Sequence, residues 1–138
     1  MSSSYEEVFD EFTDRQLVSI LEEADYENVR IVKRGLIAFT RDGMNYLISN
    51  GYDDGSIEIF MAFSDIDISF KEMNEWNCEK RFVTVYKNDD GKVCLKMSLE
   101  SGMTEAYLLK SINRFITVQK IFSLSRLGGL ASLLKMFK

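Results

Sequence analysis

From Val29 to Ser64 the apolar residues recur at every second position: Val29/Ile31, Leu36/Ala38 with Ile37/Phe39, Met44/Tyr46/Ile48, and Ile57/Ile59/Met61/Phe63. A repeat of two belongs to the strand, whose successive side chains point to opposite faces, and the stretch predicts consecutive antiparallel strands. The interruptions are turn-forming. Gly35 separates the first pair, Asp42-Gly43 signals a tight hairpin that needs positive φ, and Gly51 to Gly55 makes a polar turn. Phe60 and Ala62 fall on the face opposite Ile59 and Met61, which places that strand in the interior of the sheet.

Two capping boxes bracket this region. In Thr13-Asp14-Arg15-Gln16 the Thr13 hydroxyl can accept from the Gln16 amide while the Gln16 side chain returns to Thr13, and Leu17, Ile20, Leu21 and Ala24 continue as one apolar stripe. Ser69-Phe70-Lys71-Glu72 opens a second helix carrying Phe70, Met73, Trp76 and Asn77, which ends near Lys80. Residues 81 to 87 and 92 to 100 read as a hairpin across Asp89-Asp90-Gly91, with Val93, Leu95, Met97 and Leu99 inward and Lys92, Cys94, Lys96 and Ser98 on a wet face. Thr104 caps a long last helix with Glu105 in its first turn, the favourable sign for the helix dipole.

On that helix Tyr107, Leu108, Leu109, Ile112, Phe115, Ile116, Val118 and Phe122 span roughly 200° of the circumference, twice the stripe of an ordinary surface helix. One sheet face is expected to be too little to cover it, so that a second chain or deep insertion between layers must account for the rest. After Gly128-Gly129 a separate amphipathic tail is expected, with Leu130, Leu133, Leu134 and Phe137 on one side and Lys135 and Lys138 elsewhere. The fold class is α+β, an antiparallel sheet with helices packed on it in the order α-β-β-β-β-α-β-β-α. Residues 1–138 form one domain, with an acidic segment over 1–12 and the basic tail over 128–138.

Composition narrows the chemistry. The chain holds 138 residues, 46% of them apolar, enough for one core. It contains no histidine, which removes Ser-His-Asp and Cys-His catalysis and every His-ligated metal site. Cys78 and Cys94 suggest neither a Cys-x-x-Cys motif nor a disulfide framework, and Cys78 sits at the helix end where the dipole opposes a thiolate. Neither acidic loop fits the calcium loop: with Gly55 at its glycine position the final ligand would be Met61, and with Gly91 there it would be Met97. Asp65 and Asp67 read as solvated acids before a helix, and no phosphate-cradling glycine motif occurs. Neither metal nor cofactor is expected. The acidic N-terminal stretch is unlike a signal peptide and no apolar run is long enough to span a bilayer, so a soluble cytoplasmic protein is expected.

The net charge of −5 hides a split. All 22 acids lie within residues 1 to 105, whereas Ala106 to Lys138 carries only bases: Lys110, Arg114, Lys120, Arg126, Lys135 and Lys138. Such a segment can face acidic partners or lipid headgroups, or lie on its own acidic domain. No nucleic-acid partner is expected of an acidic chain without basic-aromatic interleaving.

Asn74-Glu75-Trp76-Asn77, Arg81-Phe82, the hairpin through Asp90-Gly91 into Leu95 to Leu99, and the helix entry from Gly102 to Phe115 resemble the YbjN-like family of bacterial sensory transduction regulators, over about residues 15 to 124. Its members are similar in fold to the class I chaperones of type III secretion, which pair and bind extended segments of other proteins. The resemblance implies a homodimer, no catalytic residues, and a protein or peptide partner. Trp76, Asn77, Arg81 and Phe82 are read as structural: the indole under the sheet, Asn77 satisfying backbone groups at its helix end, Arg81 starting the hairpin. Phe60, Phe63, Phe115, Phe122, Leu130, Leu133, Leu134 and Phe137 are the candidate partner-binding or dimer surface. The alternative function is a membrane-associated regulator acting through its basic C-terminal end.

Overall fold

The computed structural model describes residues 7–51, 53–64, 66–79 and 82–136, from residue 124 onward by backbone alone. The elements are β1 (Val8–Phe9), α1 (Asp14–Glu23), β2 (Glu27–Lys33), β3 (Leu36–Arg41), β4 (Met44–Asn50), β5 (Ile57–Ala62), α2 (Phe70–Glu79), β6 (Thr84–Lys87), β7 (Val93–Leu99), β8 (Met103–Thr104) and α3 (Glu105–Met136). They make an α+β fold. β2 to β7 form a six-stranded antiparallel sheet in the order β2-β3-β4-β5-β7-β6, and β1 pairs with β8 in a separate two-stranded ribbon.

The period-two pattern lines up across strands. Ile37, Ile48, Ile59 and Met97 stand opposite one another in sequence across β3, β4, β5 and β7, as do Met61, Leu95 and Val85 across β5, β7 and β6, and all are buried. Asp42 and Gly43 both take positive φ, +53° and +78°, the two-residue hairpin that the dipeptide announces. Both capping boxes close: Gln16 N donates to Thr13 Oγ1 at 3.0 Å and Thr13 N to Gln16 Oε1 at 2.8 Å, while Glu72 N donates to Ser69 Oγ at 3.1 Å. Tyr107 N reaches Thr104 Oγ1 at 3.1 Å, so Thr104 caps α3.

The start of α1 is tied to the sheet through a carboxylate and an amide. Asp14 accepts from Gly35 N at 2.8 Å and from Asn50 Nδ2 at 3.0 Å, and Asn50 also donates to Phe12 O at 2.8 Å. These bonds hold Leu17, Ile20 and Leu21 over β2 and β3, where all three are buried.

The last helix is covered largely within its own chain. Leu108, Ile112, Phe115, Ile116 and Phe122 are buried within this one chain, and Leu109 and Val118 are partly buried. Deep insertion therefore covers most of the wide apolar face. Phe115 meets Tyr46 edge to face, and Phe122 lies between Phe63 and Trp76, so the sheet and α2 both contribute to its cover. Tyr107 and Ile121 stay exposed. Nor does the helix break at Gly128-Gly129, since α3 runs through both glycines to Met136.

Gly55 has φ +71°, and a Cβ there would overlap the Asp10 carbonyl oxygen, where the segment after β1 crosses the β4–β5 turn. Gly55→Ala is expected to destabilise the protein by about 2 to 4 kcal/mol, strain and collision together, measured by urea unfolding. Gly91→Ala shares the positive φ but meets nothing within 4 Å, and should cost about 1 kcal/mol.

Candidate binding surfaces

The helices divide the sheet into a covered and an open face. α1 lies over β2 and β3, α3 crosses the middle, and α2 stands at β6. The other face carries, in one line across the strands, Arg30, Ala38, Leu47, Phe60, Lys96 and Thr84. Leu47 and Phe60 are half-buried and the neighbouring Ala62 is exposed. β5 is interior to the sheet, as its two apolar faces suggest, yet only one of those faces is covered.

The two sheet edges differ. At β6 the side-chain amide of Asn77 takes the place of a missing strand: its Nδ2 donates to Val85 O at 3.0 Å and its Oδ1 accepts from Val85 N at 2.9 Å. One residue earlier, Trp76 Nε1 donates to Val83 O at 3.3 Å while the indole edge meets Phe122. Asn77 thus serves the edge of the sheet and not the end of its own helix. The pair is a seal, because an unpaired edge is a template for association. At the opposite edge β2 is blunted in another way, by two register shifts, a positive φ at Asn28 and the charges of Glu27, Arg30 and Lys33.

The other residues singled out by sequence separate. Phe63, Phe115 and Phe122 belong to the core of their own chain and present no surface to a partner, since inward alternation and the depth of α3 bury them. Phe60 lies on the open face. Phe82 is exposed with the Arg114 guanidinium 4.4 Å above its ring. Arg81 and Phe137, and the side chains of Leu130, Leu133 and Leu134, lie outside the described residues. Cys94 is buried on β7, and burial pushes its thiol up, away from the thiolate; Cys78 is exposed on α2. Asp67 pairs with Lys87 at 3.5 Å. Among the described residues no group of three acids or cysteines is gathered closely enough to hold a metal ion, and no helix is long and apolar enough to cross a membrane.

Sequence reasoning missed a polar chain in the core. Tyr46 donates its hydroxyl to Gln119 Oε1 at 2.8 Å, and Gln119 Nε2 donates to Ser123 Oγ at 2.8 Å. Beside it a cavity of about 630 Å³ opens among Met44, Met61, Phe63 and Ile66. Lys120 and Asp42 pair at 2.7 Å at its rim, so one base of the C-terminal half does lie on the acidic domain. The one sign available in the sequence is Gln119 recurring among apolar neighbours at helical spacing.

These features define a class: an α+β domain whose helices close one face of an antiparallel sheet and leave the other open. No family model matches the chain, nor does any curated protein or solved structure.

Two outcomes follow for these side chains. Asn77→Ala should cost about 1 to 3 kcal/mol by leaving both Val85 groups unserved, and Asn77→Asp should cost no less, because a carboxylate, though it can accept from Val85 N, sets an anionic oxygen against Val85 O where a donor stood. Denaturant unfolding checks both, and a neutral Asn77→Asp would contradict the seal. For Tyr46, burial first and then the negative charge of Asp42 push the phenol up to about 12, against an ordinary value of 10.0. A raised phenol pKa means the folded state holds its proton longer than the unfolded state, so the stability it contributes is whole below pH 10 and falls as pH climbs toward 12. Tyr46→Phe is expected to be less stable at neutral pH and to lose less between those limits, followed by thermal melts across the alkaline range.

Proposed function

We propose that the protein is a non-enzymatic protein-binding module of the cytoplasm, chaperone-like or regulatory, which takes a segment of another protein on the open face of its sheet. The observation that carries this reading is the pair Leu47 and Phe60, half-buried side by side on that face, with exposed Ala62 beside them. The solvated face of an antiparallel sheet ordinarily alternates to polar residues, and a contiguous apolar patch there is the usual mark of an interaction site. In the same line across the strands Arg30 and Lys96 stand on either side with positive charge. The absence of histidine and the buried, protonated thiol of Cys94 support a role without covalent chemistry. The breadth of the last helix, expected to need either a second chain or deep insertion, is mostly covered within one chain, so the reading does not depend on a homodimer.

The test is the double variant Leu47→Thr, Phe60→Thr, which removes the apolar pair while keeping β-branched residues on the strands. It should keep the circular dichroism and cooperative unfolding of the wild type, yet lose the partner that the wild type captures by crosslinking in its native cell. Identical capture by both forms, or none by the wild type, removes the sheet face as the binding site.

A further inference from the structure

A second surface lies where β6 ends before β7 does. Val85 turns its N–H and C=O outward to Asn77, so the neighbouring pair, Thr84 and Lys96, is the one that exchanges hydrogen bonds across β6 and β7. In the same alternation Ser98, two residues beyond Lys96, turns its backbone N–H and C=O to that side. The pairing of β6 and β7 stops at Thr84–Lys96, and the position opposite Ser98 falls to Phe82, which stands outside β6. Among the described residues no strand pairs with this length of β7, which faces a groove of about 230 Å³ whose far wall is α3.

That groove combines two features. Two of its walls are exposed aromatic rings, Phe82 and Tyr107, at 57% and 52% exposure. Its charges are positive: Lys110 and Arg114 follow Tyr107 at i+3 and i+7, so all three project from one side of α3. Among the described residues Lys120 takes Asp42 and Lys87 takes Asp67, whereas neither Lys110 nor Arg114 has a carboxylate within ion-pair reach. Glu58 accepts from Ser98 Oγ, which places it on the open sheet face beside the groove. Two cations without a carboxylate partner among the described residues thus stand together beside the β7 edge, and one of them, Arg114, rests on the Phe82 ring.

We infer that this groove takes an extended, acidic, apolar-bearing segment of another protein, laid along β7 beside Ser98 with its carboxylates on Lys110 and Arg114 and its apolar side chains against Phe82 and Tyr107. The strand edge supplies hydrogen bonds without regard to sequence, and the two cations select the sign of the segment. A groove of this size is below the roughly 300 to 1,000 Å³ of an enclosed small-molecule site and suits side chains of a polypeptide strip. The inference rests on the reading of the protein as a binding module but not on the sheet face around Phe60, from which it is separable.

The probe is a short fluorescent peptide alternating Glu with Leu, titrated by anisotropy against the full chain beside a counterpart with Lys in place of each Glu. The Glu peptide should bind about tenfold more tightly, the scale of two exposed ion pairs together, and weaken as salt is raised. Lys110→Glu with Arg114→Glu, both on exposed helix positions, should abolish that preference with an unchanged melting curve, while the Leu47→Thr, Phe60→Thr variant should retain it. Equal binding of the two peptides, no binding of the Glu peptide, or indifference to the charge reversal overturns the inference. Loss of binding in the Leu47, Phe60 variant instead assigns the peptide to the sheet face and overturns it too, leaving the proposed function standing. Sedimentation with phosphatidylglycerol vesicles that needs Lys110 and Arg114, without peptide binding, would overturn it in favour of a lipid surface.

Discussion

Burial of one side of α3 against the inner face of the sheet is the contact on which the other elements depend. Leu108, Ile112, Phe115, Ile116 and Phe122 each remove a large apolar side chain from water, an effect of about 1.5 to 3 kcal/mol apiece against a net stability of only about 5 to 15. Because the helix lies across the middle of the sheet, it meets strand residues far apart in sequence, Tyr46 on β4 and Phe63 after β5, and also Trp76 on α2. The polar chain from Tyr46 through Gln119 to Ser123 adds direction to this contact. Apolar packing tolerates sliding, whereas the buried hydrogen bond from Tyr46 to Gln119 at 2.8 Å fixes where along the helix the sheet must meet it, and Ser123 orients the Gln119 amide for it.

From that placement follows the sidedness of the molecule. With α1, α3 and α2 all on one face, the outward positions of the strands keep whatever the sequence puts there, and it puts Leu47, Phe60 and Ala62 at the centre. The edges are treated unequally. β6 is closed by the Asn77 amide, and the Trp76 N–H extends the cover to Val83 just before it; among the described residues the pairing with β7 ends at Thr84–Lys96 while β7 continues. The exposed cations of α3 lie along that further length. The open face, the sealed edge and the groove are consequences of one packing choice combined with a difference in strand length.

Much of the fold is legible in the sequence because it is local. The alternation from Val29 to Phe63, the positive-φ turn at Asp42-Gly43 and the three helix caps at Thr13, Ser69 and Thr104 each rest on residues within four positions of one another, and all are present in the folded chain. β1 and β8 are not legible, since two residues cannot display a period and their pairing joins Val8 to Thr104. Asn77 reads correctly as structural, but sequence proximity points it to the end of its own helix, whereas its partner is Val85, eight residues away across a bend. The assignment of Phe63, Phe115 and Phe122 to a surface fails for a related reason, because the width of an apolar stripe says how much must be covered and not what is available to cover it.

The amino-acid order alone settled the class of fold, the boundaries of most elements, the chemistries removed by the lack of histidine, and the collection of bases after Ala106. The tertiary structure decided how deep α3 sits, which aromatic residues are left outside, which cations find carboxylates, and where the strand edge is open. The division is physical: periodicity, capping and turn formation depend on neighbours along the chain, whereas burial and charge pairing depend on neighbours in space, which exist only once α3 has been laid across the sheet.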